Sequence, residues 1–411
     1  MNDRKMRKTL RLSVGNSIGD QEYYAELSLP AKDYEVRDAM EKIRASDRDE
    51  LDLICTWGCE DIPYGMNICM DDASFDELNY LAKRLAALNE KERIVYHAVL
   101  KKLREEGKRF VPVKELINST YGLGSIPVVI GMKDLEELGE FAVENDMMAD
   151  LANIPQEAIP YLDLCRIGGI QKENDGGVFT DSCYVAAGHY QRPEIYDGKT
   201  LPQEEEPPDA YIFSLRLSQS EEDIPQEEHS WVDLPMSAEQ IRDFEQAHGG
   251  KKMPDFYCHA FLSCIPQLNG NLNIDMREFY SLNQLAEKIA SFSADEQIKW
   301  KAVLSAEKPA TLHEVWDTAL HLGEYEFSYY PGTIEQFFKD YLRHNLDTDM
   351  DSGWLDMVEV NPNSQLLMER LNATLTDYGV ISARGCSLYA PVPCKEAEAV
   401  EEGQRMAGPQ L

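Results

Sequence analysis

Asp347, Asp349 and Asp351, followed by Gly353, come nearest in this chain to a hard-cation site, because oxygen ligands at alternate positions can wrap a calcium-sized ion. The spacing does not complete a calcium loop. Counted from Asp347, the sixth and twelfth positions are Ser352 and Val358, where a glycine and a bidentate glutamate are required. The same three carboxylates would serve a metal-dependent hydrolase only if they converged in a pocket with further ligands. The eight histidines form no HExxH pair, and Cys258, His259 and Cys264 lack the rest of a zinc pattern. Cys55 and Cys59 are the closest two of nine cysteines, an odd and scattered set that reads as reduced thiols. There is no glycine-rich phosphate loop and no GxSxG elbow, and Gly122 and Gly124 lack the third glycine and the lysine that would make them one. No catalytic residue, no metal and no cofactor is expected, and the chain reads as a non-enzyme.

What the chain has in excess is carboxylate. Against 40 Lys and Arg stand 74 Asp and Glu, a net charge of −34 over 411 residues, which argues against a surface that seeks nucleic-acid phosphates. The densest stretch is 134–150, where Asp134, Glu136, Glu137, Glu140, Glu144, Asp146 and Asp150 occur without a single base. On a helix, Glu136, Glu140 and Glu144 line one side in steps of about 6 Å of rise, with Leu135, Leu138 and Ala142 facing inward. Like charges four apart cost a helix a few tenths of a kcal/mol per pair, so solvation or a basic partner must compensate. Further clusters are Glu204–Glu206, Glu221, Glu222 and Asp223 with Glu227 and Glu228, and the Asp347, Asp349 and Asp351 loop. Duplex DNA carries one charge per ~1.7 Å of axis, so this surplus matches roughly 58 Å of duplex if it lies on one long face.

The elements that would position these acids come in two sets. Leu10 to Ser13 recurs as Leu215 to Ser218, and Leu29-Pro30 recurs as Leu234-Pro235, both 205 residues on. The segment from Phe75 to Leu100, with Leu78-Asn79 and Leu81-Ala82, recurs 204 residues on with Leu282-Asn283 and Leu285-Ala286. A third block, Glu115 to Asp146, lies over Glu314 to Asn345 at an offset of 199. Collinear blocks at a nearly constant offset indicate an internal duplication. Each copy reads as two strands, the second ending in Leu-Pro, a helix from near Ala31 or Ser237, a helical bundle, and short closing strands in 177–185 or 380–389. Ser237 with Gln240 fits a capping box. The fold class is α+β, as two tandem copies in an elongated chain. The expected divisions are a first copy at 1–190, a Pro- and Glu-rich linker at 191–209, a second copy at 210–394 and a polar tail at 395–411. Neither a signal-peptide core nor a membrane span is visible, so a cytoplasmic location and no membrane partner are expected.

Several of these residues resemble the ArdA antirestriction proteins of conjugative plasmids and transposons. The likeness rests on the strand, Leu-Pro and helix opening at Leu10 to Pro30, on Glu77-Leu78-Asn79 with Leu81-Ala82, and on Ile154-Pro155 leading to Tyr161-Leu162-Asp163 and Arg166-Ile167-Gly168. It continues in Gly177-Val178-Phe179 with Tyr184-Val185, covering most of the first copy and, more faintly, the second. The resemblance implies a non-enzymatic, elongated, acidic mimic of bent B-form DNA that occupies the DNA groove of type I restriction-modification enzymes, without binding nucleic acid itself. That family works as a homodimer of short chains, so two copies in one chain imply a monomer with an internal pseudo-dimer. Leu371-Asn372-Ala373 stands near where the first copy has Arg166-Ile167-Gly168. An acidic adaptor of a mobile element, binding a basic protein without copying DNA, is the alternative from another class.

Overall fold

The computed structural model describes residues 6–390, apart from 19–20, 58–60, 63–66, 70–72, 109, 149–154, 182, 203–210, 223–230, 271, 330–332, 347–356 and 358–359. By contacts the chain divides into two units. One comprises Met1–Asn16, Tyr24–Ala39 and Ala45–Pro208; the other comprises Ser17–Tyr23, Met40–Arg44 and Asp209–Leu411. Both mix helices with small sheets.

The N-terminal sheet has the order β2-β1-β3, from β1 (Leu10–Ile18), β2 (Gln21–Leu29) and β3 (Asp52–Trp57). In β2, Tyr23, Ala25, Leu27 and Leu29 are buried while Glu22, Tyr24 and Glu26 face solvent, the two-residue period of a half-buried strand. The Leu29-Pro30 peptide is cis, and α1 (Asp33–Ile43) follows. A short parallel pair, β4 (Asn67–Cys69) and β5 (Phe110–Pro112), flanks the helices α2 (Phe75–Ala87) and α3 (Glu90–Glu105), after which comes α4 (Val113–Ser119). Ser74 with Glu77 and Asn89 with Glu92 form the capping boxes that start α2 and α3. A second sheet of order β6-β8-β7, from β6 (Val128–Ile130), β7 (Val178–Phe179) and β8 (Cys183–Val185), brackets the helix pair α5 (Leu135–Glu144) and α6 (Leu164–Asp175).

The second unit likewise opens on a three-stranded sheet. Strands β9 (Phe213–Ser218), β10 (Trp231–Leu234) and β11 (Tyr257–Ser263) form a sheet of order β10-β9-β11, and Leu234-Pro235 is again cis. Helix α7 (Ala238–Ala247) starts at the Ser237 and Gln240 capping box that the sequence indicates. Then come α8 (Phe279–Ala290), α9 (Ala294–Glu307) and α10 (Leu312–Leu320), packed around the fully buried Trp300. The closing sheet, of order β12-β14-β13, uses β12 (Phe327–Ser328), β13 (Ala373–Thr376) and β14 (Gly379–Ser382), with α11 (Ile334–Leu346) and α12 (Val360–Arg370) between.

The repeated Leu-Asn pair has a physical reason in both units. Leu78 and Leu282 are fully buried in their cores, and the neighbouring amide turns back to the main chain just after the cis-proline. Asn79 Oδ1 accepts from Ala31 N at 2.6 Å and its Nδ2 donates to Ala31 O at 3.0 Å. Asn283 does the same to Met236, at 2.7 and 3.0 Å. A paired amide of this kind satisfies both polar groups of a residue that no strand or helix serves.

In the Pro- and Glu-rich segment 191–209 the buried Asn118 of α4 holds the first part: its Oδ1 accepts from Ile195 N and Tyr196 N at 3.0 and 2.8 Å, and its Nδ2 donates to Tyr196 O at 2.9 Å. Tyr196 is itself buried and its hydroxyl donates to Glu77 Oε1 at 2.9 Å. The strand expected over 380–389 ends at Ser382, and turns follow. Leu371-Asn372-Ala373 does not take the place of Arg166-Ile167-Gly168 within a helix. Leu371 is buried, Asn372 sits at φ 46° just past α12, and Ala373 opens β13. That is the position held in the first unit by Gly176, the left-handed cap of α6.

Candidate functional site

The acidic stretch folds as α5, and the way α5 is held decides which of its carboxylates remain free. Asp134 is the N-cap: its Oδ1 accepts from Glu137 N at 3.0 Å, while Glu137 Oε2 accepts from Lys133 N at 2.7 Å. Asp134 thereby satisfies one free N–H group of the first turn and Glu137 that of the residue before the cap, and both acids suit the positive end of the helix dipole. Glu136, Glu140 and Glu144 are exposed, and Asp146 lies exposed just beyond the helix with φ at 48°. Among the described residues no cation forms an ion pair with Glu136, Glu140 or Glu144.

The other side of α5 packs on α6 through two glycines. A Cβ on Gly139 would lie 1.9 Å from Leu164 O, and one on Gly168 would lie 1.9 Å from Leu135 O. Only glycine permits so close a backbone approach. Leu138 and Ala142 are buried as the helical period implies, but Leu135 is 36% exposed, contrary to expectation. At the crossing its carbonyl meets Gly168 of α6. Asp163 caps α6 by accepting from Arg166 N at 3.0 Å. The exposed Cys165 thiol is pushed up from its usual range, first by lost hydration and then by the charges of Glu136, Asp163 and Asp134. Carboxylates of both helices thus act on one exposed thiol of α6. Nearby in sequence Tyr161 is 88% exposed, an aromatic of the kind enriched at protein interfaces.

Of the other acidic residues singled out, Glu221 and Glu222 are exposed beyond β9, in the second unit. Asp150, Asp223, Asp347, Asp349 and Asp351 lie outside the described residues, as do Glu204–Glu206, Glu227 and Glu228. Among the described residues no three His, Cys, Asp or Glu side chains gather as a metal site, and no helix is long and apolar enough to cross a membrane.

One pair was invisible in the sequence. Ser218 Oγ lies 2.7 Å from His259 Nε2, because the register of β9 and β11 shifts between Cys258 and Ala260 and the extra residue, His259, swings toward β9. Ser218 Oγ also contacts Ser220 O as a donor. The single hydroxyl proton is then committed to the main chain and His259 is left to donate, the reverse of the arrangement that activates a serine. Comparison with family models, with curated proteins and with solved structures finds no match to the chain.

Proposed function

We propose that this chain is a cytoplasmic antirestriction protein, a tandem acidic mimic of B-form DNA that inhibits type I restriction-modification enzymes by occupying their DNA-binding groove. The observation that carries the reading is the α5 face. Along it Glu136, Glu140 and Glu144 recur in steps of about 6 Å of helical rise, close to every second phosphate of a duplex strand at ~3.4 Å spacing. All three are exposed without an ion-pair partner among the described residues. Unpaired like charge at this density destabilises its own helix, which favours a role outside the fold.

The tandem plan supports the same reading. Both units place a three-stranded sheet, a cis Leu-Pro, an Asn clamp and a closing sheet around a helix pair in the same order. We read this as a duplication that lets one chain stand where two short chains would dimerise. Inhibition by such a surface should weaken steeply with salt, because charge pairing is screened over about 10 Å at 0.1 M. Between roughly 50 and 200 mM salt the inhibition constant for a type I enzyme should rise about a hundredfold or more, on the scale of phosphate contacts to DNA. An inhibition constant that does not move with salt would contradict charge mimicry.

A further inference from the structure

We propose that the first unit carries a binding cavity for a phosphate group, between the C-terminal end of α3, α4 and the segment after β8. The cavity measures about 270 Å³ and is lined by Lys102, Lys108, Arg192, Ser119, Tyr190 and Glu106. In a chain with 74 acids and 40 bases, three cations converging on one hollow call for an explanation. Glu115 meets two of them, Lys108 Nζ at 3.3 Å and Arg192 Nη1 at 2.9 Å. It leaves most of the guanidinium N–H groups free for a second acceptor. Lys102 is half-buried, and its ammonium has no hydrogen-bond acceptor among the described residues.

The backbone makes room for that ammonium. A Cβ on Gly176 would lie 2.8 Å from Lys102 Nζ and 2.9 Å from Gly188 Cα. Tyr190 is a neutral phenol, its pKa pushed up to about 12 by burial, that donates to Asn118 O at 3.2 Å, so its oxygen can only accept, from a protonated phosphate oxygen. Cations from α3, from the loop that follows it and from the segment after β8 suit an oxyanion with several acceptor atoms. A phosphate fits, with between one and two negative charges near neutral pH. Screening at 0.1 M removes repulsion from acids beyond about 10 Å, which leaves Glu106 in the lining and Glu115, paired to two of the cations, as the charges that oppose it. Millimolar affinity is therefore expected.

The test is calorimetric titration of the full chain with inorganic phosphate in chloride buffer at fixed ionic strength, with adenosine 5′-monophosphate in a second arm. One saturable site is expected. Lys102→Met should weaken it about tenfold, Lys102→Arg should keep it within about threefold, and Glu106→Gln should tighten it about twofold. The exposed Lys108→Met, which removes no buried group, should weaken it about threefold and serves if Lys102→Met does not fold. Tighter binding of the nucleotide would assign a phosphate monoester, and equal or weaker binding the free ion. No saturable binding of either probe, or binding unaffected by both Lys102→Met and Lys108→Met, would overturn the proposal.

Discussion

Gly168→Ala is expected to destabilise the chain by about 3 kcal/mol or more, in the upper range for overpacking a close contact. The new Cβ would sit 1.9 Å from Leu135 O and 2.9 Å from Gly139 N. Both obstacles are backbone atoms inside a helix, so neither can rotate aside as a flexible side chain would. Relief requires α5 and α6 to separate, which withdraws Leu138 and Ala142 from their buried contacts. The neighbouring position supplies the control. A Cβ on Gly169 meets nothing within 4 Å, so Gly169→Ala should stabilise by roughly 0.5–1 kcal/mol through helix propensity alone. Urea unfolding of the two variants checks this, and a Gly168→Ala chain as stable as the parent would show that the helix pair is not packed this closely.

Replacing Glu136, Glu140 and Glu144 together by Gln should weaken inhibition roughly tenfold to a hundredfold, if each exposed charge contributes up to about 1 kcal/mol to a complementary surface. Stability should be unchanged or slightly higher, because the variant relieves two like-charge pairs worth a few tenths of a kcal/mol each. Asp134→Ala separates the two roles of acid in this stretch. It removes the cap on Glu137 N and should lower stability by about 1 kcal/mol. A triple variant that unfolds would assign Glu136, Glu140 and Glu144 to the fold; one that inhibits like the parent would remove this face from the site.

The parts legible in the sequence were those fixed by local period and local caps. The leucine spacing of α2 and α8, the Ser237 and Gln240 cap, and the exposed positions of Glu136, Glu140 and Glu144 follow from residues within two turns of one another. Leu-Pro and Leu-Asn recur in the sequence, and at both places the structure has a cis peptide and a side-chain clamp. What the sequence hid depends on partners far along the chain. Gly139 and Gly168 look like weak points of their helices until each is seen against the other helix's carbonyl. Tyr196, in a stretch rich in Pro and Glu, gains its place from Asn118, 78 residues away. The third strands β3 and β11 carry short apolar runs without clean alternation, and only pairing with β1 and β9 defines them.

The most direct measurement of DNA mimicry is displacement. A fluorescent duplex carrying the recognition site is bound to the DNA-recognition and methyltransferase core of a type I enzyme, and the full chain is titrated in while anisotropy is followed. Occupation of the DNA groove predicts complete, competitive release of the duplex, with an apparent constant that rises in proportion to duplex concentration. Inhibition without release, with chain, enzyme and duplex held in one complex, would contradict it and favour an acidic adaptor bound away from the groove.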